Sequence, residues 1–223
     1  MGQLTGTLRV ERLSKSFGAK EILTLDLTLP LGEFCLIIGE NGVGKSTFFR
    51  CLLDLELHAG TVKVEGFPAK SAIVGVLDES VLYPQWRVSA NIDYLLNKSK
   101  SAQIPIIQEL LGSQLLNMRA RELSTGQRKM VLLATALATA APIVLLDEFA
   151  NGLDRNARSR IREVLGREMA TGQRTFLATG HDLSVLAELP TRIVLLSDGQ
   201  FRDITNQYRA AQELNEIYTT DFS

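Results

Sequence analysis

The chain of 223 residues contains only two cysteines, Cys35 and Cys51, and both stand in segments rich in apolar residues. Two thiols in such positions exclude a disulfide framework and do not supply the ligand cluster of a metal site. We therefore expect both to be buried as small apolar side chains of a protein in a reducing compartment. A chain of this length can bury a sizeable core without disulfides or metals.

Long hydrophobic runs are missing as well. No stretch approaches the length of about 20 apolar residues that crosses a bilayer. Residues 1–12 contain no long apolar region, so we expect no secretory signal. If the protein works at a membrane, another chain must supply the spanning part.

Neither sign of charge is in excess. The chain has 24 Lys and Arg against 25 Asp and Glu, a formal net charge of −1 and a pI of about 6.2. This balance predicts no general affinity for nucleic acid. The chain has no internal repeat or low-complexity segment, and its length fits one large α/β domain or one with a subdomain.

The most informative stretch that is present is Gly-Glu-Asn-Gly-Val-Gly-Lys-Ser-Thr at residues 39–47, which matches the phosphate-binding pattern G-x-x-x-x-G-K-[ST]. The apolar run at 34–38 predicts a buried strand before it, and residues 48–53 predict a helix after it. Glycines let backbone N–H groups turn around an anion, and the N-terminus of the helix adds partial positive charge. This strand, loop and helix therefore predict a nucleotide site.

Within that loop, Lys45 would reach the β- and γ-phosphates, and the Ser46 hydroxyl would hold Mg²⁺. The alternative interpretation is a glycine-rich turn with an exposed lysine. The candidate nucleotide-binding residues of the loop are Gly39, Glu40, Asn41, Gly42, Val43, Gly44, Lys45, Ser46 and Thr47.

The segments around the loop predict alternating strands and helices. Residues 8–13 and 22–29 alternate apolar and polar side chains, as half-buried antiparallel strands do. We interpret residues 14–20 as a polar loop, in which Phe17 either packs as a plug or stacks on a base. The next predicted elements are a turn at 58–60, a short strand at 61–66 and a buried strand at 72–77.

The composition then changes to a helical one. Residues 89–116 have little strand character and are broken by Pro105, which predicts a small helical subdomain inserted into the α/β body. After it, Ser124 and Gln127 have the spacing of a capping box. The helix that they open is apolar on nearly every face as far as residue 140, so we expect it to be buried.

An apolar strand at 143–146 runs directly into Asp147 and Glu148. Continuous apolar strands of this kind lie inside parallel sheets, and the overall alternation of strand and helix predicts a parallel α/β fold. The remaining predicted elements are a helix capped by Asp154, a strand at 175–179 before His181, a short helix at 184–189, a strand at 193–196, a turn at 198–199 and a polar helix at 207–218.

Five of these features, in this order, resemble the ATP-binding cassette (ABC) ATPases, the nucleotide-binding subunits of ABC transporters. They are Phe17, the phosphate loop, Leu-Ser-Thr-Gly-Gln at 123–127, the Asp147-Glu148 pair and His181. The stretch at 123–127 is close to the family's Leu-Ser-Gly-Gly-Gln signature and is the most specific of them. The resemblance covers nearly the whole chain.

This resemblance implies a P-loop NTPase fold: a parallel sheet core with an antiparallel β subdomain and an inserted helical subdomain. It implies one ABC ATPase domain over residues 1–223. Residues of about 1–86 and 141–223 would form the catalytic core with the β subdomain, and 87–140 the helical subdomain with the signature helix.

The resemblance also implies roles at one ATP site. Phe17 would stack on adenine, Asp147 would hold Mg²⁺ through water, and Glu148 would be the general base that orients the attacking water. His181 would be the switch histidine that contacts the γ-phosphate. Lys45, Glu148 and His181 are thus the candidate catalytic residues.

A second set of residues is expected to act on another subunit. Ser124, Gly126 and Gln127 would face the γ-phosphate bound by a second copy, and residues 151–154 would match the loop that crosses between subunits. ATP would then drive formation of a homodimer, or of a heterodimer with a second cassette.

Three positions depart from the family pattern. Glu79 stands where the family usually has glutamine, in the loop that leads to the helical subdomain; it could still ligate Mg²⁺ or position water. The family commonly has proline at Phe149 and arginine at Thr135. These two changes affect packing more than chemistry.

The function implied is an ATP-binding and hydrolysing subunit that powers a membrane transporter. It would sit peripherally on the cytoplasmic face of the membrane, through a separately encoded transmembrane subunit docked near residues 80–86. Tyr83 and Trp86 would anchor that contact, or would be ordinary partly buried aromatics.

Two alternatives remain open. The chain could be a soluble ABC-type ATPase that acts on nucleic acid or the ribosome, although such proteins usually carry long coiled coils or two cassettes. It could also be a regulatory module without turnover, against which the combination of Lys45, Asp147, Glu148 and His181 argues.

Overall fold

The computed structural model describes residues 4–77, 81–180 and 189–207 of the chain. In these ranges the strands are β1 Thr7–Phe17, β2 Lys20–Pro30, β3 Phe34–Ile38, β4 Ala59–Val64, β5 Ile73–Val76, β6 Ile143–Leu146, β7 Thr175–Thr179, β8 Arg192–Ser197 and β9 Gln200–Asp203. The α-helices are α1 Lys45–Leu52, α2 Ala69–Ala72, α3 Val88–Leu95, α4 Pro105–Asn117, α5 Thr125–Leu137 and α6 Arg155–Thr171. Short 3₁₀ helices cover Ser101–Gln103, Ala120–Glu122 and Thr205–Gln207.

The larger sheet has six strands in the order β5-β6-β7-β3-β8-β9, and β5, β6, β7, β3 and β8 run parallel. β3, β6 and β7 are buried along their full length, as continuous apolar strands inside a parallel sheet are. The predicted strands at 34–38, 143–146 and 175–179 are confirmed. β9 is not predicted by the pattern, because it is polar apart from Phe201; it pairs with β8 through the predicted turn.

The smaller sheet is antiparallel, with the order β2-β1-β4. The two strands predicted here are confirmed, but the polar loop predicted at 14–20 is wrong. β1 continues to Phe17, and Ser14 and Lys15 pair with Thr24 and Leu23. Backbone groups make this ladder, so polar side chains do not prevent pairing.

Glycine at position 60 belongs to β4, so the turn predicted at 58–60 is too long. Gly60 lies against Arg12, where the register of β1 shifts and Arg12 itself has a φ of 50°. A Cβ on Gly60 would lie 2.4 Å from the Arg12 carbonyl oxygen. Glycine is therefore required for the strand to pass this bulge.

Alternate residues of β3 face two hydrophobic clusters, one on each side of the larger sheet. Phe34, Leu36 and Ile38 join a cluster built with residues of α4, α5 and α6. Cys35 and Ile37 join the second cluster, which contains α1 and the inner face of the smaller sheet. The larger sheet is thus the middle layer of the fold.

The predicted burial of both cysteines is confirmed, since Cys35 and Cys51 are free and buried. Burial raises the pKa of the Cys35 thiol to about 12 and that of the Cys51 thiol to about 11. Both are therefore packing residues rather than reactive thiolates.

The helical segment consists of α3, a 3₁₀ helix and α4 rather than one broken helix. Pro105 begins α4 instead of ending a helix, because proline has no N–H to lose in the first turn. Gly112 interrupts α4 with a φ of 65°. The helical character is confirmed, and the subdomain boundaries at 87 and 140 stay a prediction.

Some predicted features lie outside the described residues. They are Glu79, His181, the helix predicted at 184–189 up to residue 188, and the helix predicted at 207–218 after residue 207. Within the described ranges, no helix combines the length and the hydropathy needed to cross a membrane.

Candidate active site

The phosphate loop connects the end of β3 to the start of α1, and two of its glycines are sterically required. A Cβ on Gly39 would lie 2.4 Å from the carbonyl oxygen of Leu196 in the neighbouring strand. A Cβ on Gly44 would lie 2.9 Å from a methyl carbon of Leu23, and Gly44 has a φ of 116°. Gly44 is also the N-cap of α1, where it offers no side-chain oxygen to the first-turn N–H groups. This helix N-terminus is therefore open to an external anion.

Lys45 is folded over the loop that precedes it. Its side chain is buried, with 5% exposure, and Nζ donates hydrogen bonds to the carbonyl oxygens of Gly39 at 2.6 Å and Glu40 at 2.8 Å. Burial lowers the pKa of the Lys45 ammonium, while the carboxylates of Glu148 and Asp147 act to raise it. The alternative of an exposed lysine on a glycine-rich turn is wrong, because this side chain is buried and hydrogen-bonded to two loop carbonyls.

Asp147 follows β6 and is buried at the same end of the sheet. Its Oδ1 accepts a hydrogen bond of 2.6 Å from the Thr179 hydroxyl, at the end of β7. The same hydroxyl oxygen accepts a bond of 2.9 Å from the backbone N–H of Glu148. Thr179 was missed by sequence reasoning. The available signal was a polar residue at the carboxyl end of a buried parallel strand, where sites of α/β proteins lie.

Glu148 occupies an uncommon backbone conformation, with a φ of 44°. A non-glycine residue in the left-handed region costs about 1–3 kcal/mol and persists only where surrounding contacts hold it. The carboxylate Oε2 accepts a bond of 2.7 Å from the Asn151 side-chain amide, and the backbone carbonyl accepts one of 2.9 Å from Lys129 Nζ. The turn after β6 is thus held at its backbone and at its side chain.

Phe17 lies at the hairpin end of β1 and is 49% exposed, which does not fit a core plug. The Lys15 ammonium lies 4.6 Å from the centroid of its ring. That ammonium is itself held by the Glu56 carboxylate and the Leu57 carbonyl, both at 2.9 Å. The ring is therefore a partly exposed surface with a cation over it.

The predicted capping box at the start of α5 is confirmed. The Ser124 hydroxyl accepts a bond of 3.2 Å from the Gln127 N–H, and the Ser124 N–H donates one of 2.9 Å to Gln127 Oε1. Ser124 is exposed, whereas Gly126 is buried. A Cβ on Gly126 would lie 3.3 Å from that of Ala157, so this glycine lets α5 pack closely on α6.

A groove of about 490 Å³ adjoins the same helix start. It is lined by Ser124, Gly126 and Gln127 of α5, by the start of α6 and by leucines of α4. Asp154 lies on its wall and caps α6 as predicted, accepting a bond of 2.9 Å from the Ala157 N–H.

The structure thus brings together Lys45, Asp147 and Glu148 of the predicted site. Ser124, Gly126 and Gln127 form a second group, at the junction of α5 and α6. Thr179 and Lys129 complete the first group and were not predicted.

Comparison with known proteins gives a consistent result. The sequence model of the ABC transporter family matches residues 22–151. The aliphatic sulfonates import ATP-binding protein SsuB 2 of Pseudomonas fluorescens is 32% identical over 202 residues, covering 86% of this chain and 74% of the relative. The spermidine/putrescine import ATP-binding protein PotA of Aliivibrio fischeri is 29% identical over 230 residues, covering 96% of this chain and 62% of the relative.

Solved structures agree on the fold. An ATP-binding subunit of an ABC transporter superposes with a TM-score of 0.78 at 21% identity, covering 96% of this chain and 100% of that one. A bacterial Atm1-family ABC exporter with ATP bound superposes with a TM-score of 0.75 at 21% identity, covering 96% of this chain and 42% of the exporter chain. The predicted fold class is confirmed.

Proposed function

This chain belongs to the ABC transporter family and is an ATP-binding and ATP-hydrolysing subunit that powers a membrane transporter; we propose that it hydrolyses ATP between α1 and the ends of β6 and β7. The observation that carries this proposal is that buried Lys45, at the uncapped N-terminus of α1, lies at the same edge of the parallel sheet as Asp147 and Glu148. Phosphoryl transfer needs a cation and N–H donors on one side and a water-orienting base on the other. These residues supply both.

The phosphates of ATP bind along the loop at 39–47 in this proposal. Lys45 exchanges the loop carbonyls of Gly39 and Glu40 for phosphate oxygens, which are stronger acceptors because they are charged. The exposed ring of Phe17 stacks on adenine. Gly42 leaves one side of its Cα open, with no atom within 4 Å of the position of a Cβ, so the loop backbone can approach an anion.

Mg²⁺ fits the donors at this site. In nucleotide sites the ion is bound by one or two protein oxygens together with substrate phosphates. Ser46, exposed in the first turn of α1, would bind the ion through its hydroxyl, and Asp147, buried at the end of β6, would hold it through water. When bound, the ion neutralises charge that develops on the phosphate oxygens. The hydrogen bond from the Thr179 hydroxyl fixes one oxygen of Asp147 and would thereby orient this carboxylate toward the ion.

Glu148 is the proposed general base. Its carboxylate accepts the proton of the attacking water as the water oxygen bonds to the γ-phosphorus. The bond to the β–γ bridging oxygen breaks, which releases ADP and phosphate. Glu79 and His181, which lie outside the described residues, keep their predicted roles at Mg²⁺ and at the γ-phosphate as proposals.

The second half of the site comes from another subunit in this proposal. Ser124, Gly126 and Gln127 lie on α5, whose N-terminus has the partial positive charge that attracts an anion. If a two-fold axis relates the subunits, the α5 N-terminus of each one faces the ATP bound by the other. This arrangement gives two identical ATP sites in a homodimer, or two related ones in a heterodimer. ATP then holds the two subunits together, and hydrolysis separates them.

The transporter interpretation is supported over an ATPase that acts on nucleic acid or the ribosome. The two relatives are named for import of aliphatic sulfonates and of spermidine or putrescine. Because the solutes differ while the ATP-binding chain is shared, we infer that a separate transmembrane subunit contacts the solute. We also infer that this chain lies peripherally on the cytoplasmic face of the membrane, docked through that subunit.

The base role is tested with Glu148→Gln, which keeps the size of the side chain but cannot accept the proton. Turnover of Mg-ATP by the full chain should fall by about 100-fold or more, while ATP binding is retained. Glu163→Gln, an identical change at an exposed position of α6, is the matched control and should leave turnover unchanged. Near-normal turnover in Glu148→Gln would remove Glu148 from the role.

A further inference from the structure

Lys129 is a buried cation on the signature helix α5, and its ammonium contacts the turn after β6. The residue is 6% exposed. Its Nζ donates to the carbonyl oxygen of Glu148 at 2.9 Å and to that of Asn151 at 2.7 Å. The ring of Phe149, between these two residues, has its centroid 6.0 Å from the same nitrogen. One side chain of α5 therefore bonds to both ends of the turn of residues 148–151.

The position of this turn decides where the carboxylate of Glu148 points. The N–H of Glu148 is held by the Thr179 hydroxyl and its carbonyl by Lys129, so both of its peptide groups are anchored by side chains. Its carboxylate is held by the amide of Asn151, whose own carbonyl is the other acceptor of Lys129. These contacts oppose the tendency of Glu148, with its φ of 44°, to relax to a commoner backbone conformation.

Burial of a lysine would be energetically unfavourable if its role were packing alone. Burying an ammonium is unfavourable unless hydrogen bonds compensate for its lost hydration. Neighbouring buried residues of α5, Met130, Val131 and Leu133, pack there without charge. A methionine would fill the same volume on this helix. Only the ammonium group can donate the two short hydrogen bonds to carbonyl oxygens of the turn.

We propose that Lys129 is a positioning residue for the general base: it holds the left-handed turn at Glu148 so that the carboxylate is aimed at the attacking water. This inference rests on the proposed role of Glu148. Lys129 touches neither ATP nor water in this account; it acts through the Glu148 and Asn151 carbonyls.

The test compares Lys129→Met, which keeps the length but loses the donors, with Lys129→Arg, which keeps both charge and donors. For each full-length variant, kcat and KM for Mg-ATP are measured together with Tm. Small displacements of a reacting group can cost up to about 100-fold in rate. Lys129→Met should therefore lower kcat by about tenfold or more with KM nearly unchanged, and Lys129→Arg should restore most of the loss.

A second comparison separates positioning from packing. Single-turnover hydrolysis is measured for Lys129→Met in the Glu148→Gln background, where the carboxylate is already lost. The account predicts no further loss there. An equal loss in both backgrounds, or a parental kcat with only a lowered Tm, would overturn it. If Lys129→Met does not fold, Lys129→Gln replaces it: a lowered kcat at unchanged KM supports the account, and a parental kcat contradicts it.

The two proposals fail differently. High turnover in Glu148→Gln alone would refute the base role itself. Loss of turnover in Glu148→Gln, combined with parental kcat in Lys129→Met, would leave the base role intact and refute only the positioning role.

Discussion

The helices α1 and α5 both begin with residues proposed to bind a phosphate, but their N-termini are built in opposite ways. α1 begins after Gly44, which has no side chain to cap the first turn. α5 begins after Ser124, whose hydroxyl and backbone N–H both bond to Gln127. The first-turn N–H groups of α1 have no side-chain cap, so a ligand can supply their acceptor. Those of α5 are capped by a side chain of the same subunit.

This difference fits the proposal that one chain provides two halves of a site. A helix without a side-chain cap fits the half-site that is proposed to bind ATP within its own subunit, next to Lys45 and Asp147. A helix that is capped without a ligand can stay folded while its partner subunit is absent. The capping box at Ser124 therefore fits a half-site that is used only when two subunits meet.

The largest effect is expected from a substitution that disrupts the α1 half-site. Lys45→Met removes the cation that is proposed to contact the β- and γ-phosphates, while keeping most of the side-chain volume. We expect turnover to fall by about 100-fold or more, because a charged donor on the transferred group is lost, and ATP binding to weaken. Binding of a fluorescent ATP analogue and phosphate release measure the two effects.

Lys63→Met is the control for this change, since Lys63 is an exposed lysine of β4. It should bind and hydrolyse ATP as the parent does. Parental turnover in Lys45→Met would show that the phosphate loop is not the place of hydrolysis.

A smaller effect is expected at the base-binding edge of the same half-site. Phe17→Ala removes a stacking surface that serves the substrate and the transition state alike, so KM should rise while kcat is retained. Stacking of a base on an aromatic ring contributes about 1–3 kcal/mol, so a rise in KM of about tenfold is expected. Steady-state kinetics over a range of ATP concentrations separate the two constants.

Phe17→Tyr keeps the ring and should behave as the parent does in the same assay. A lowered kcat at unchanged KM in Phe17→Ala would contradict the stacking assignment.

Local patterns predicted most of this fold. The strands at 34–38 and 175–179 were predicted to the residue because they are apolar runs bounded by turns, and the capping box at Ser124 is local by nature. Features that depend on a distant partner were not predicted. β1 runs through three polar residues because β2 pairs with them, and Gly60 is in a strand because Arg12 bulges opposite it.

The same distinction holds at the candidate site. Lys45, Asp147 and Glu148 stand in contiguous motifs and could be named from the sequence. The contacts of Thr179 and Lys129 could not be predicted, although Thr179 stands at the end of a strand, because each residue reaches the turn after β6 from an element about 20 to 30 residues away. Only the packing of β7 beside β6 and of α5 against the turn brings them there.

Ser124 is a better probe of the α5 half-site than Gly126. Gly126 is buried against Ala157 and Leu153, so a larger residue there would disturb the packing of α5 on α6 whatever the glycine faces. Ser124 is exposed, and both Asp and Asn are good N-cap residues. Ser124→Asp and Ser124→Asn therefore preserve the helix start and differ from each other in one negative charge.

The claim that the signature helix completes the ATP site of a partner subunit is tested most directly by measuring the masses of these two variants in the Glu148→Gln background. Light scattering after size exclusion gives the masses with Mg-ATP and with Mg-ADP. The account predicts that Glu148→Gln alone and Glu148→Gln with Ser124→Asn double in mass with ATP but not with ADP. Glu148→Gln with Ser124→Asp should bind ATP and remain a monomer, because its carboxylate would face the γ-phosphate of the partner subunit. Dimer formation by the Ser124→Asp variant as readily as by the Ser124→Asn variant would contradict the claim that the signature helix completes the ATP site across the interface.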